Sequence, residues 1–425
     1  MLRACLVAIV VTLIGGASPA AGPGRMVLRQ GSSRPSAGSP TGAISADGRH
    51  LAFVSAAHLL QADTNGVDDI YVLDRESERL TLATVGPGDR ASDGTSASPQ
   101  LNADGQYLAF DSHATDLTGA PDRNETKDVF VRDCRAGTTT RVSVGADGQD
   151  ANGGSSNPAL SANGRWLAFE STATNLVRGE DVNGTGSDVF LADLATGTVT
   201  RVGVDGAGRQ FARAFSPRIS GDGTFLVFVA TRYPDRSGGR ADSVTAPGVY
   251  LRDIAGGTTL CISCDRTVAG GERRAAFAPD LSADGRIVAF AIQTTSARSD
   301  IVIYDRTTLT ATTITRSANA RSTGPRVSGN GAIVAFESWA SNLLCRGRCH
   351  DADIDENLLP DVYLFDRTME RFERASGGRV TWWTASLGPV IDGRGQVVMF
   401  TSREPFGPED LTSDFDLFVC SPVCS

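Results

Sequence analysis

The sequence predicts an all-β fold, a seven-bladed β-propeller of four-stranded antiparallel blades. Three observations predict it. One hairpin signature occurs seven times, two further strand signals follow each of the first six, and none of the 425 residues falls in a long helical pattern. A self-similar unit at a recurring spacing marks a solenoid, a propeller or an array.

Aligned on the turn, the units read GAISADGRHLAFVS, PQLNADGQYLAFDS, PALSANGRWLAFES, PRISGDGTFLVFVA, PDLSADGRIVAFAI, PRVSGNGAIVAFES and PVIDGRGQVVMFTS. Their turn residues are Asp47, Asp104, Asn163, Asp222, Asp284, Asn330 and Arg394, spaced by 57, 59, 59, 62, 46 and 64 residues. The first strand of a unit is short, as in PALS. Asp-Gly or Asn-Gly then closes a tight hairpin, because glycine accepts positive φ at no steric cost. The second strand, such as WLAFES, is apolar on both faces at its centre, as a strand with layers above and below must be. The third is DIYVLD (Asp69–Asp74) and its equivalents DVFVRD, DVFLAD, GVYLRD, DIVIYD, DVYLFD and DLFV. The fourth is typified by TTRVSV (Thr139–Val144).

The connections suit a meander. One such sheet cannot bury both apolar faces, whereas a ring packs every blade between two others and leaves only short edges. Phe53, Phe110, Phe169, Phe228, Phe290, Phe336 and Phe400 share one register. Burial of each contributes about 2 kcal/mol. The seventh unit ends at DLFVCSPVCS, one strand short, while MVLRQ (Met26–Gln30) is a spare strand ahead of the first unit. The expectation is that this spare strand completes the last blade and that residues 26–425 are a single domain.

The N-terminus reads as an export signal over residues 1–21. Arg3 is its positive region, Cys5–Gly16 its apolar region, and ASPAAG offers cleavage near Ala20 or Ala21. The apolar run is short for a membrane span, so the expected location is extracytoplasmic, periplasmic or secreted, with no span after cleavage. A net charge of −9, with Lys127 the one lysine beside 39 arginines and no basic cluster, argues against a nucleic-acid partner. Seven cysteines follow the cleavage site, in a compartment that permits disulfides. Cys345–Cys349 and Cys420–Cys424 suit local bridges. Cys261 and Cys264 would stand about 10 Å apart in an extended strand, too far to bridge without a bend. Cys134 has no near neighbour in sequence.

The pattern PxxSxDGxxxAFxS…DVFVRD resembles the TolB-type propeller with its WD-like repeat, over residues 26 to 425. The resemblance implies the fold and no particular activity. TolB carries an α/β domain ahead of its propeller, and here about twenty residues separate the signal from the first unit. Binding to the Tol–Pal system is therefore not implied.

A meander places its connections on alternate faces. The turns after first and third strands are tight, and the loops after second and fourth strands are long. Long loops on a rigid scaffold are where binding concentrates, so the functional face is expected there. Those loops repeat an acidic motif: Asp63–Asp69, Asp122–Asp128, Asp181–Asp188 and Asp351–Asp361. Alternating Asp and Asn oxygens can wrap calcium. The candidate ligands are Asp353, Asp355, Asn357 and Asp361 in the last loop, and Asp63, Asn65 and Asp69 in the first. Asx-turns leading into a strand-start Asp explain the same residues without a metal.

Enzyme signatures are absent: no GxSxG elbow and no HExxH occurs. A metal-dependent lyase of the kind some TolB-like propellers resemble would gather histidines in the channel. His58, His113 and His350 fall in outer loops instead, and His50 opens a strand. The expected function is therefore an exported, non-enzymatic, monomeric scaffold that binds a protein or glycan of the cell envelope through its long-loop face. Two alternatives stay open: a metal-dependent carbohydrate-active lyase or hydrolase at the channel mouth, and a calcium-stabilised structural protein of the envelope.

Overall fold

The computed structural model describes residues 25–28, 42–120, 122–232, 246–264, 274–344, 359–376, 385–403 and 416–420. They form seven four-stranded antiparallel sheets and, among the described residues, no helix. Six sheets are consecutive meanders. Blade 3, for example, runs Ser155–Leu160, Trp166–Ser171, Asp188–Asp193 and Thr198–Arg201. The first strands of successive blades touch one another in a closed cycle, the strand of blade 7 meeting that of blade 1. They therefore surround a common axis.

Blade 7 is assembled from both ends of the chain. Its first three strands are Ser386–Ile391, Val398–Ser402 and Asp416–Cys420, and Arg25–Leu28 supplies the fourth. Arg25 lies opposite Cys420 and Leu28 opposite Leu417. The strand missing from the seventh unit is thus the spare strand ahead of the first.

The Ser-x-Asp-Gly words of the repeat close the inner hairpin with side chains as well as backbone. In blade 3 the Ser161 hydroxyl donates to Asn163 (2.7 Å) and accepts from the Trp166 amide (2.9 Å), while the Arg165 amide donates to Asn163 (3.0 Å). The same bonds recur at Ser45, Ser220, Ser282 and Ser328. In the seventh unit Arg394 stands at the turn position and cannot accept such bonds. Asp392, in the serine's place, accepts from both Gln396 (2.6 Å) and Val397 (2.9 Å).

Two strands differ in length from the sequence expectation. The innermost strand of blade 3 begins three residues before the PALS tetrad, because it runs through the proline on a β-bulge. The residue before that proline takes positive φ in blades 2 to 7: Ser98, Asn157, Ser216, Ala278, Gly324 and Gly388. The fourth strand of blade 2 stops at Arg141, three residues short of the predicted end. Its Ser143 turns inward, donating to Asp128 (2.5 Å) and accepting from the Val129 amide (2.9 Å).

The core lies between blades. The seven central phenylalanines are each at most 1 % exposed. Six of them stack on an aromatic of the third strand at centroid distances of 5.6–6.1 Å. Blade 5 is the exception, with Phe290 opposite Val302.

Candidate functional site

The acid-rich loops open the third strands, and the structure draws their residues into hydrogen-bonded knots. In blade 1 the Asn65 amide donates to Asp69 (2.8 Å) and to the Ser92 carbonyl (2.7 Å), and its carbonyl accepts from the Val67 amide (3.0 Å). Asp69 also accepts from Thr84 (2.5 Å). Asp63 accepts from the Tyr71 hydroxyl and keeps its other oxygen buried without a partner. Asp63, Asn65 and Asp69 are thus brought together.

Blades 2 and 3 set an arginine between the matching acids. Arg141 reaches Asp122 (2.9 Å) and Asp128 (3.2 Å), and Arg201 reaches Asp181 (2.8 Å) and Asp188 (3.0 Å). Leu82 occupies that register position in blade 1. In blade 6, Asp361 accepts from Ser376 (2.7 Å), with Arg374 at 3.7 Å. Asp353, Asp355, Asn357 and His350 lie outside the described residues. Among the described residues, no three His, Cys, Asp or Glu side chains are grouped so as to hold a metal.

Burial pushes Asp188 up to about 6, against the pull of Arg201. A folded pKa above the unfolded value near 3.9 means that the native state binds the extra proton between those values. The contribution of Asp188 to stability therefore falls as pH rises through about 6 and recovers on acidification. A carboxyl titration by NMR is expected to place Asp188 near 6. Asp188→Asn is expected to flatten the dependence of the melting temperature on pH between about 4 and 6. An Asp188 midpoint near 4 would count against this account.

Cys261 closes the fourth strand of blade 4. The chain bends after it, so the Cα of Cys264 lies 5.4 Å away and the two cysteines are bridged. The extended geometry that would forbid this bond is absent. Cys420 is also disulfide-bonded, and Cys345, Cys349 and Cys424 lie outside the described residues. Cys134 is free, and burial pushes its thiol up to about 11, so it stays protonated at neutral pH.

The sevenfold pattern breaks at the axis. One position after the bulge proline, at matching register, stand Ala43, Gln100, Ala159, Arg218, Asp280, Arg326 and Val390. Blades 4, 5 and 6 therefore present Arg, Asp and Arg where three of the others present alanine or valine. These residues share a cavity of about 120 Å³ with Gln100, and its remaining walls are largely aliphatic. Asp280 accepts from the Val327 amide (2.8 Å), and its other oxygen stands 3.9 Å from Arg218. Arg218 donates to the Pro217 carbonyl (2.8 Å). Burial, together with the charge of Arg326, pushes Arg218 down to about 10. The set itself carries two positive charges and one negative, and the carboxylates of Glu170 and Glu337 stand close enough to act on Arg218 and Arg326 respectively.

Three residues further along each first strand, small residues form a collar. Amides of Ala46, Ala103, Asn163, Gly221, Ala283 and Asn330 donate to carbonyls of Ala103, Ala162, Gly221, Ala283, Gly329 and Gly393, at 2.8–3.4 Å. The contact between Gly393 and Ala46 completes the cycle: a Cβ on Gly393 would meet Ala46 at 2.8 Å. Seven steps at the spacing of paired strands give a ring of about 5.5 Å radius at the α-carbons. Once van der Waals shells are subtracted, that end is too narrow for a polypeptide to thread.

Sequence reasoning placed function on the long loops and missed the axial set. Its signal was the residue after proline in PQLN, PALS, PRIS, PDLS, PRVS and PVID, which varies in charge while its neighbours repeat.

No protein-family model and no curated protein matches the chain. Solved structures do. An oligogalacturonate lyase from Vibrio parahaemolyticus is 12% identical with a TM-score of 0.55, covering 94% of this chain and 93% of that one. The β-propeller domain of the Trilobed protease from Pyrococcus furiosus is 12% identical with a TM-score of 0.52, covering 87% and 91%. TolB from Acinetobacter baumannii is 19% identical with a TM-score of 0.44, covering 80% and 66%. What the first two share with this chain is the propeller fold.

Proposed function

We propose that the protein is an extracytoplasmic, non-enzymatic binding propeller that holds part of a protein or glycan ligand at its axis. One observation carries this reading: the Arg218–Asp280–Arg326 set breaks an otherwise repeated inner wall at a cavity. Burying two guanidinium groups is costly for a scaffold that serves only its own packing, even with the carboxylates of Asp280, Glu170 and Glu337 near them. The collar directs access to the long-loop side, and the apolar run at residues 5–16 supports export.

The test is equilibrium binding of the mature chain to two panels, acidic oligosaccharides and short peptides, with chromatography of each panel after prolonged incubation. At least one panel is expected to bind and remain intact. The double variant Arg218→Ala/Arg326→Ala is expected to weaken binding at least about tenfold, the order of a lost charge-assisted contact. Cleavage of either panel, or binding that ignores both substitutions, would overturn the reading.

A further inference from the structure

Arg326 makes no side-chain hydrogen bond and no ion pair within 4 Å among the described residues, although it lines the axial cavity, and the buried Glu337 carboxylate acts on it from further off. The one carboxylate of the set is engaged elsewhere: Asp280 accepts from Val327 and leans towards Arg218. A guanidinium whose donors are all unused in a restricted cavity calls for an anion with a planar pair of oxygens.

The opposite wall narrows the choice. Ile44 and Leu101 from blades 1 and 2, with Val390 and Ile391 from blade 7, line the same cavity. On the side formed by these residues the hydroxyls of a sugar acid would find fewer polar partners than on the side of Gln100, Arg218, Asp280 and Arg326. The cavity is also somewhat smaller than the roughly 150 Å³ that accommodates a benzene. It therefore suits an end group carrying a carboxylate on one side and a small aliphatic surface on the other. The collar closes the far end, so the guest enters by its tip and does not pass through.

We propose that this cavity captures the free C-terminal carboxylate of a polypeptide whose last residue is aliphatic. The carboxylate meets Arg326, supported by Arg218, and the terminal side chain lies against Ile44, Leu101 and Val390. This assignment rests on the binding reading above and specifies its ligand.

The test uses the mature chain and hexapeptide pools ending in Leu or Val, each as free acid and as C-terminal amide. The probe of the rival class is an oligogalacturonate. Fluorescence anisotropy is expected to show the acid pools binding at least about tenfold more tightly than the amides, with the difference abolished by Arg326→Ala. Arg326 makes no side-chain hydrogen bond, so its removal strands no donor or acceptor, and Glu337, which feels its charge, keeps the bond from the Gly388 amide. Arg326→Lys, which keeps the charge without the planar fork, is expected to recover only part of the affinity. Equal binding of acids and amides would overturn the carboxylate assignment and leave the binding reading standing. So would binding of the oligogalacturonate alone. Failure of every probe would overturn both.

Discussion

A chain beginning at residue 31 is expected to melt about 6 °C below one beginning at residue 22, and to self-associate. The reason is the composition of blade 7. Its fourth strand is Arg25–Leu28, paired along its whole length with Leu417–Cys420. Without it the third strand becomes an edge, with a row of unpaired amides and carbonyls. Leu417, Phe418 and Val419 are each at most 1 % exposed, and the lost strand covers part of that apolar surface. The lost pairing and burial together are on the order of 5 kcal/mol. The ring also loses the strand by which the chain leading into the first blade is hydrogen-bonded to the last. Differential scanning calorimetry and size-exclusion chromatography check both halves of the expectation. A peptide of residues 22–30 added in trans should restore much of the lost melting temperature by adding back the strand. A shorter chain that stays monomeric and melts within about 2 °C of the longer one would show that closure contributes little.

The fold was legible because its physics repeats. Seven hairpins with the same turn chemistry, each followed by a strand apolar on both faces, admit few arrangements, and the missing seventh fourth strand pointed to Met26–Gln30. Bulges and strand ends were less legible, because each depends on a partner in another strand. The first strand of blade 3 passes through its proline because the Asn157 amide donates to Asp111 of the preceding blade (3.0 Å). The same bridge joins Ser216 to Glu170 (2.6 Å) and Gly388 to Glu337 (2.7 Å). Nothing local in SSNPAL announces a carboxylate one blade away. The acid-rich loops show the converse. Their spacing suggested a cation, and in blades 2 and 3 the cation between the acids is an arginine from the fourth strand, thirteen or more residues along the chain. The axial set was hidden for a third reason: Arg218, Asp280 and Arg326 are far apart in sequence, and only the packing of consecutive blades brings them to one cavity.

Phe169→Ala is expected to cost about 3–5 kcal/mol, the largest effect of any single core truncation in blade 3. Phe169 is fully buried, stacked at 5.7 Å on Phe190, and packed with Leu167, Ala173 and Leu176. Residues on both sides of its sheet are held by neighbouring blades, so the cavity has little freedom to collapse. The repeat supplies an internal control. Phe290 occupies the same register in blade 5 but faces Val302 instead of an aromatic ring. Phe290→Ala removes similar area without removing a stacked pair, and its cost should be lower by about 0.5–1.5 kcal/mol. Denaturant midpoints of the two variants, read with the parent slope, give the comparison. Phe169→Leu should recover more than half of the loss, because it refills volume without the ring. If instead Phe169→Ala and Phe290→Ala cost the same, burial alone would account for the recurring phenylalanine. The stacked partner on the third strand would then be a consequence of the shared register and no source of stability.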